Sequence, residues 1–95
     1  MIRLSVLYPV TEGATFDHDY YREQHVPLAL RTWGLESGEI DRGIDGPYVA
    51  AVHVSFPSAE AMQQALSAEG MGEVMADIAN YTSIAPVIQT SEIVS

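Results

Sequence analysis

The stretch YVAAVHVSF, Tyr48 to Phe56, narrows the fold more than any other part of this chain. Read as a strand, it puts Val52, Val54 and Phe56 on one face and Val49, Ala51 and His53 on the other. Both faces are mainly apolar. A sheet built on such a strand needs cover on both sides, and helices can supply only one of them if they all pack on the same face. The remaining elements say that they do. IRLSVLYPV alternates, with Ile2, Leu4, Val6 and Tyr8 on one face, and Pro9 and Gly13 close it. Asp17 is a good N-cap for a helix over about 17–31, with acidic residues in the first turns where the helix dipole favours them. GEIDRGIDGPYVAAVHVSF makes two strands around an Asp45-Gly46-Pro47 turn. Ser58 caps a second helix through Met62, Ala65 and Leu66. Met71, Val74, Met75 and Ile78 mark a further helical segment, and SIAPVIQTSEIV is a last strand.

The order is β-α-β-β-α-β, the ferredoxin-like α+β pattern of an antiparallel sheet with helices on one face. One domain spans residues 1–95, with no linker and no low-complexity segment. The uncovered apolar face is expected to meet a second copy, closing two sheets into a dimeric α+β barrel: a homodimer through the sheet faces. A chain of this length buries about 60–70% of its unfolded surface, enough for one core but not for a large separate site.

Charge limits the partners. Thirteen Asp and Glu stand against four Arg and no Lys, a formal net charge of −9. Nucleic-acid binding needs a basic footprint, and an anionic membrane is disfavoured for the same reason. A neutral or weakly charged small organic molecule, or another protein, is the expected partner. No cysteine is present, so thiolate chemistry and disulfides are excluded. The N-terminus lacks a signal-peptide pattern and no apolar run approaches membrane-spanning length, so a cytoplasmic location is expected.

No phosphate-binding glycine loop, nucleophile elbow or Cys-X-X-Cys occurs. His18 and His25 lie two turns apart with Tyr21 and Arg22 between them, a poor metal set. His25 is the strongest candidate for chemistry. Pro27, two residues on, removes an N–H and crowds the preceding turn, so the helix is expected to kink and splay from the sheet where His25 points inward. The gap would hold one titratable ring among apolar side chains, fit for general acid or base work. The alternative is a buried structural histidine bonded to a backbone carbonyl freed by the kink. Tyr8 and Tyr21 are candidates to orient an oxygen in the same gap, and Trp33 and His53 to line or support it. Each also has a plain structural reading, as core, interface or strand residue. Asp77 and Tyr81, one turn apart, are placed to pair with something on the first helix. The methionines at 62, 71 and 75 sit at core spacing.

Several strings taken together, VLYP before a glycine, FDHDYYREQHVPL followed by WG, IDRG, PYVAAVHVSF and MADIANYTSIAPVIQTSE, resemble the EthD family from about Ile2 to Glu92. Family members often carry a longer Gly/Pro-rich loop after the DRG string, where this chain has only Ile44 to Pro47. The resemblance implies a ferredoxin-like homodimeric α+β barrel. The family is associated with ethyl tert-butyl ether degradation beside an oxygenase system and is often labelled oxidoreductase. The wider superfamily includes cofactor-independent monooxygenases, isomerases and cyclases with a pocket between helices and sheet, and some relatives hold haem through a histidine. Two functions are therefore expected to compete. One is a cofactor-independent enzyme of oxidoreductase, isomerase or cyclase type, in which His25 moves a proton. The other is a non-catalytic accessory protein supporting an oxygenase partner. No cofactor is expected, with haem as the alternative.

Overall fold

Two neighbours flank β1 (Ile2–Pro9) in a four-stranded antiparallel sheet described, in a computed structural model, along with the rest of Met1–Ser95. β3 (Tyr48–Phe56) lies along one edge of β1 and β4 (Val87–Glu92) along its other edge, while β2 (Glu39–Arg42) pairs with the far edge of β3, giving the order β2-β3-β1-β4. The register sets Leu4 opposite Val54, Val6 opposite Val52 and Tyr8 opposite Ala50. Alternation therefore carries these residues to one face, where they form the core with Phe56. Between β2 and β3 the chain turns so tightly at Gly43 that a Cβ there would collide with the Tyr48 carbonyl oxygen. A methyl group would have to push the backbone of the two strands apart, which is why glycine stands there.

Three helical elements cover the core face. α1 is composite: α-helical at His18–Tyr20, a π-turn at Tyr21–His25, and α-helical again at Val26–Trp33. Asp17 caps it as the sequence predicts, accepting from the Tyr20 N–H at 3.1 Å. Gly34 ends it in the left-handed region with φ 72°, as a helix C-terminus favours. α2 (Ala59–Leu66) starts on Ser58, whose hydroxyl accepts from the Ala61 N–H, and α3 (Met71–Asp77) runs on into a 3₁₀ turn at Ile78–Asn80. The β-α-β-β-α-β order is thus the observed one, and no helix is long and apolar enough to cross a membrane.

Two expectations need correction. The helix does not break at Pro27. The Val26 N–H bonds back five residues to the Tyr21 carbonyl, and Pro27 then enters the first turn of the next α-helical segment. There its missing N–H is least costly. The irregularity is absorbed one turn upstream, as a π-turn that keeps the helix against the sheet. The second correction concerns the open face. Alternation puts Ser5 and His53 side by side at its centre, where they are directly paired in register, with Glu39 opposite His53 and Gln89 opposite Ser5. That face is polar at its middle, with Ala51 and Leu7 beside it, and is not the mainly apolar surface that β3 alone suggested.

Candidate functional site

The π-turn of α1 carries the site's central pair. Tyr21 and His25, four residues apart, project from one side of the helix toward the sheet. Both are buried, and their rings are 5.7 Å apart and inclined by 14°. His25 also meets Tyr81, ring centres 4.6 Å apart. Tyr8 reaches this cluster from the end of β1, edge-on to Tyr21 at 5.5 Å, and its hydroxyl hydrogen-bonds that of Tyr81 at 2.5 Å.

His25 is held by a carboxylate, not by a backbone carbonyl. Its Nδ1 lies 3.0 Å from Oδ2 of Asp77, at the C-terminal end of α3. The other carboxylate oxygen, Oδ1, accepts from the Tyr20 hydroxyl at 2.7 Å and from the Asn80 amide at 2.9 Å. Burial raises the Asp77 carboxyl, but the bonds from Tyr20, Asn80 and His25 together outweigh it and leave the group below its ordinary value. An ionised carboxylate only accepts, so the Nδ1–H must donate to it. Burial lowers the His25 pKa below 6.5, the hydrogen bond and charge of Asp77 offsetting only part of the effect. At neutral pH the ring is therefore uncharged, with its proton on Nδ1 and its lone pair on Nε2. A histidine oriented by a carboxylate with a free Nε2 is the arrangement a general base requires.

That ring lines a partly open cavity of about 60 Å³ between α1, α3 and the sheet. Its walls are apolar apart from Tyr8, Tyr21 and His25: Leu4, Val6 and Val52 come from the sheet, Val26, Ala29 and Trp33 from α1, and Met71, Val74 and Met75 from α3. The Trp33 indole N–H points at the Met71 sulfur, 3.0 Å away. Wider hollows on the surface, up to about 570 Å³ beside Gly34–Glu39, are open depressions away from His25. The Tyr21 hydroxyl is buried and has no hydrogen-bond partner in the chain. Burial, followed by the neighbouring Tyr8 and Asp41, pushes this phenol far above its ordinary range, so it stays a donor.

Of the residues singled out from sequence, Tyr8, Tyr21, His25 and Trp33 come together around this cavity. His53 does not. It sits on the opposite face of the sheet, its Nδ1 hydrogen-bonded to the Ser5 hydroxyl at 2.7 Å and its Nε2 3.0 Å from the Asp41 carboxylate. Strand parity already separated His53 from Val52 and Val54; grouping it with His25 ignored that signal. Asp77, which was legible as a partner for the first helix, proves to be the partner of His25. Tyr20 and Asn80 were not foreseen, and nothing in their spacing marks them. Met71 and Met75 read as core but wall the cavity. No cluster of three or more His, Asp or Glu side chains could hold a metal ion.

A four-stranded antiparallel sheet with helices on one face, carrying a buried histidine–carboxylate pair over an apolar cavity, defines a small ferredoxin-like α+β protein. An EthD-like protein from Ralstonia eutropha is 39% identical, the match covering 99% of this chain and 92% of that one with a TM-score of 0.90. The chain belongs to the EthD-like family. An EthD family protein from Bacillus halodurans shares the fold at 19% identity, with 99% of each chain covered and a TM-score of 0.77. An antibiotic biosynthesis monooxygenase shares it at 10% identity over the whole of both chains, TM-score 0.58. No protein-family model and no curated protein matches the sequence.

Proposed function

We propose that this chain is a cofactor-independent enzyme that moves a proton on a small organic molecule, with His25 as the base. The observation that carries the reading is the 3.0 Å bond from His25 Nδ1 to Asp77, which leaves Nε2 free beside an apolar cavity. Asp77 fixes the tautomer and stabilises the imidazolium formed when Nε2 takes a proton. Tyr20 and Asn80 hold Asp77 in place. The apolar walls exclude water, so the base meets its substrate without a competing solvent shell. Isomerase, cyclase and oxidoreductase chemistries can all begin with this step, and the similarity to a monooxygenase fold favours none of them.

The test is a titration of His25 followed by NMR. Its ring is expected to stay neutral at pH 7, with a midpoint below 6.5, and Asp77→Asn, which removes the carboxylate's charge, to lower that midpoint further. A midpoint above 6.5 would sink the reading. The same shift bears on stability. A histidine whose folded pKa is depressed leaves the unfolded chain binding more protons as pH falls below 6.5, so His25 costs stability in that acid window and none above it.

Haem fits the donor but not the space. Nε2 is a suitable axial ligand, but a cavity of about 60 Å³ has no room for a macrocycle, and the mechanism does not use one. We also propose a cytoplasmic homodimer in which the open sheet faces meet, since Leu7 and Ala51 adjoin the polar Ser5–His53 centre on a surface without helices. Sedimentation velocity should give the mass of two chains; a monomer at micromolar concentration would overturn this. Support of an oxygenase partner is the second functional reading, favoured only by the excess negative charge, which suits a basic partner surface.

A further inference from the structure

Every polar group at the cavity is accounted for except two. The Tyr8 hydroxyl bonds that of Tyr81. His25 Nδ1 bonds Asp77. What remains is the Nε2 lone pair, an acceptor, and the buried Tyr21 O–H, a donor with no partner. A buried hydroxyl left unpaired is costly, and such groups in a native fold call for an explanation. Tyr21 and His25 occupy the same π-turn, with nearly parallel rings 5.7 Å apart, so the unpaired donor and the free base belong to one rigid unit.

We infer that the Tyr21 hydroxyl receives the oxygen of a neutral carbonyl substrate while His25 Nε2 removes a proton from the carbon beside that carbonyl. This inference rests on the proposed role of His25 as base and adds the oxygen's receiver and the substrate class. The pocket's chemistry excludes the other classes. No Arg lines it, so nothing there would neutralise a carboxylate or phosphate, and its single lone-pair acceptor gives an ammonium no charge partner. In the step, the C–H bond breaks, its proton moves to Nε2, and its electron pair enters the C–C bond as the carbonyl becomes an enolate oxygen. That oxygen accepts the Tyr21 O–H bond, which strengthens as charge develops. Returning the proton from Nε2 to carbon regenerates the neutral ring, and no oxidant or reductant is consumed.

The same inventory limits how acidic the substrate must be. One neutral phenol is the only group aiding the enolate, and the base is weak because its ring is buried. The α-carbon of a ketone with a single carbonyl is too weakly acidic for this pair. A carbon flanked by two carbonyls is not. Met71 and Met75 are flexible walls that can adapt to such a molecule.

The experiment follows deuterium uptake from D₂O into acetylacetone and into acetone by NMR, with wild type, Tyr21→Phe and His25→Gln. Wild type is expected to accelerate exchange of the central protons of acetylacetone above the buffer rate and to leave acetone unaffected. Tyr21→Phe should lose about 10²-fold of that acceleration, the typical effect of removing one donor to a developing oxyanion. Its melting temperature should be unchanged or higher and its His25 titration unaltered, which a merely structural role would not produce. Loss in His25→Gln with full retention in Tyr21→Phe would overturn the Tyr21 assignment and leave the base in place. Retention in both variants would overturn the base as well. Equal acceleration of acetone, or none of either ketone, would overturn the substrate class, while the His25 titration judges the base independently.

Discussion

Replacing His25 by alanine is expected to lower turnover of the natural substrate by about 10²–10⁴-fold, the usual contribution of a positioned general base. The loss should fall on kcat more than on KM, because Nε2 acts only as the proton moves. Wild-type activity should hold steady around pH 7 and fall as the pH drops through the His25 midpoint, which lies below 6.5, because protonation removes the Nε2 lone pair. Asp77→Asn should keep part of the rate and shift this acid limb to lower pH, since the ring loses the carboxylate that favoured its charged form. Alanine at 25 also strips Asp77 Oδ2 of its partner, so part of any stability change belongs to that carboxylate. Its Oδ1 bonds to Tyr20 and Asn80 remain and keep the loop after α3 in place. Steady-state rates across pH for the three proteins check the prediction. Activity in the alanine variant within a few-fold of wild type would remove the mechanism.

Phe56→Ala is the substitution expected to cost most stability. The side chain is 2% exposed at the end of β3, packed into the core that Leu4, Val54 and Met62 share. Deleting a buried Phe side chain typically costs 3–5 kcal/mol, about 4, through lost transfer energy and the cavity left behind. A domain of this size is stable by only about 5–15 kcal/mol, so the variant should lose much of its margin, with a fall in Tm of roughly 15 °C or more. Ile44→Ser provides the contrast. That isoleucine is fully exposed in the turn between β2 and β3, and its replacement should leave Tm within experimental error. Thermal unfolding followed by circular dichroism separates the two.

The pairing of these effects reflects how the fold is divided. Core layers contributed by Leu4, Val54 and Phe56 hold the sheet to its helices, while Tyr21 and His25 stand in the one irregular turn of α1 and Tyr8 stands where the β1–β3 register shifts.

Strand parity, helix caps and helical spacing are local properties, so the order of elements, the caps at Asp17 and Ser58, and the face shared by Leu4, Val6 and Tyr8 were legible in the residues themselves. So was an irregularity near His25, because Pro27 cannot donate a hydrogen bond wherever the chain folds. Its form was not legible. Whether a helix answers a proline by breaking or by widening a turn depends on what it packs against, and here the sheet keeps α1 in place. Local pattern also could not say that His25 would be held by Asp77, 52 residues away, or that Tyr21 would be buried without a partner. Those facts arise only when β1 and β3 pair in register and bring α1 and α3 onto one face. The sequence by itself determined which groups were available for chemistry; the tertiary packing decided which of them meet.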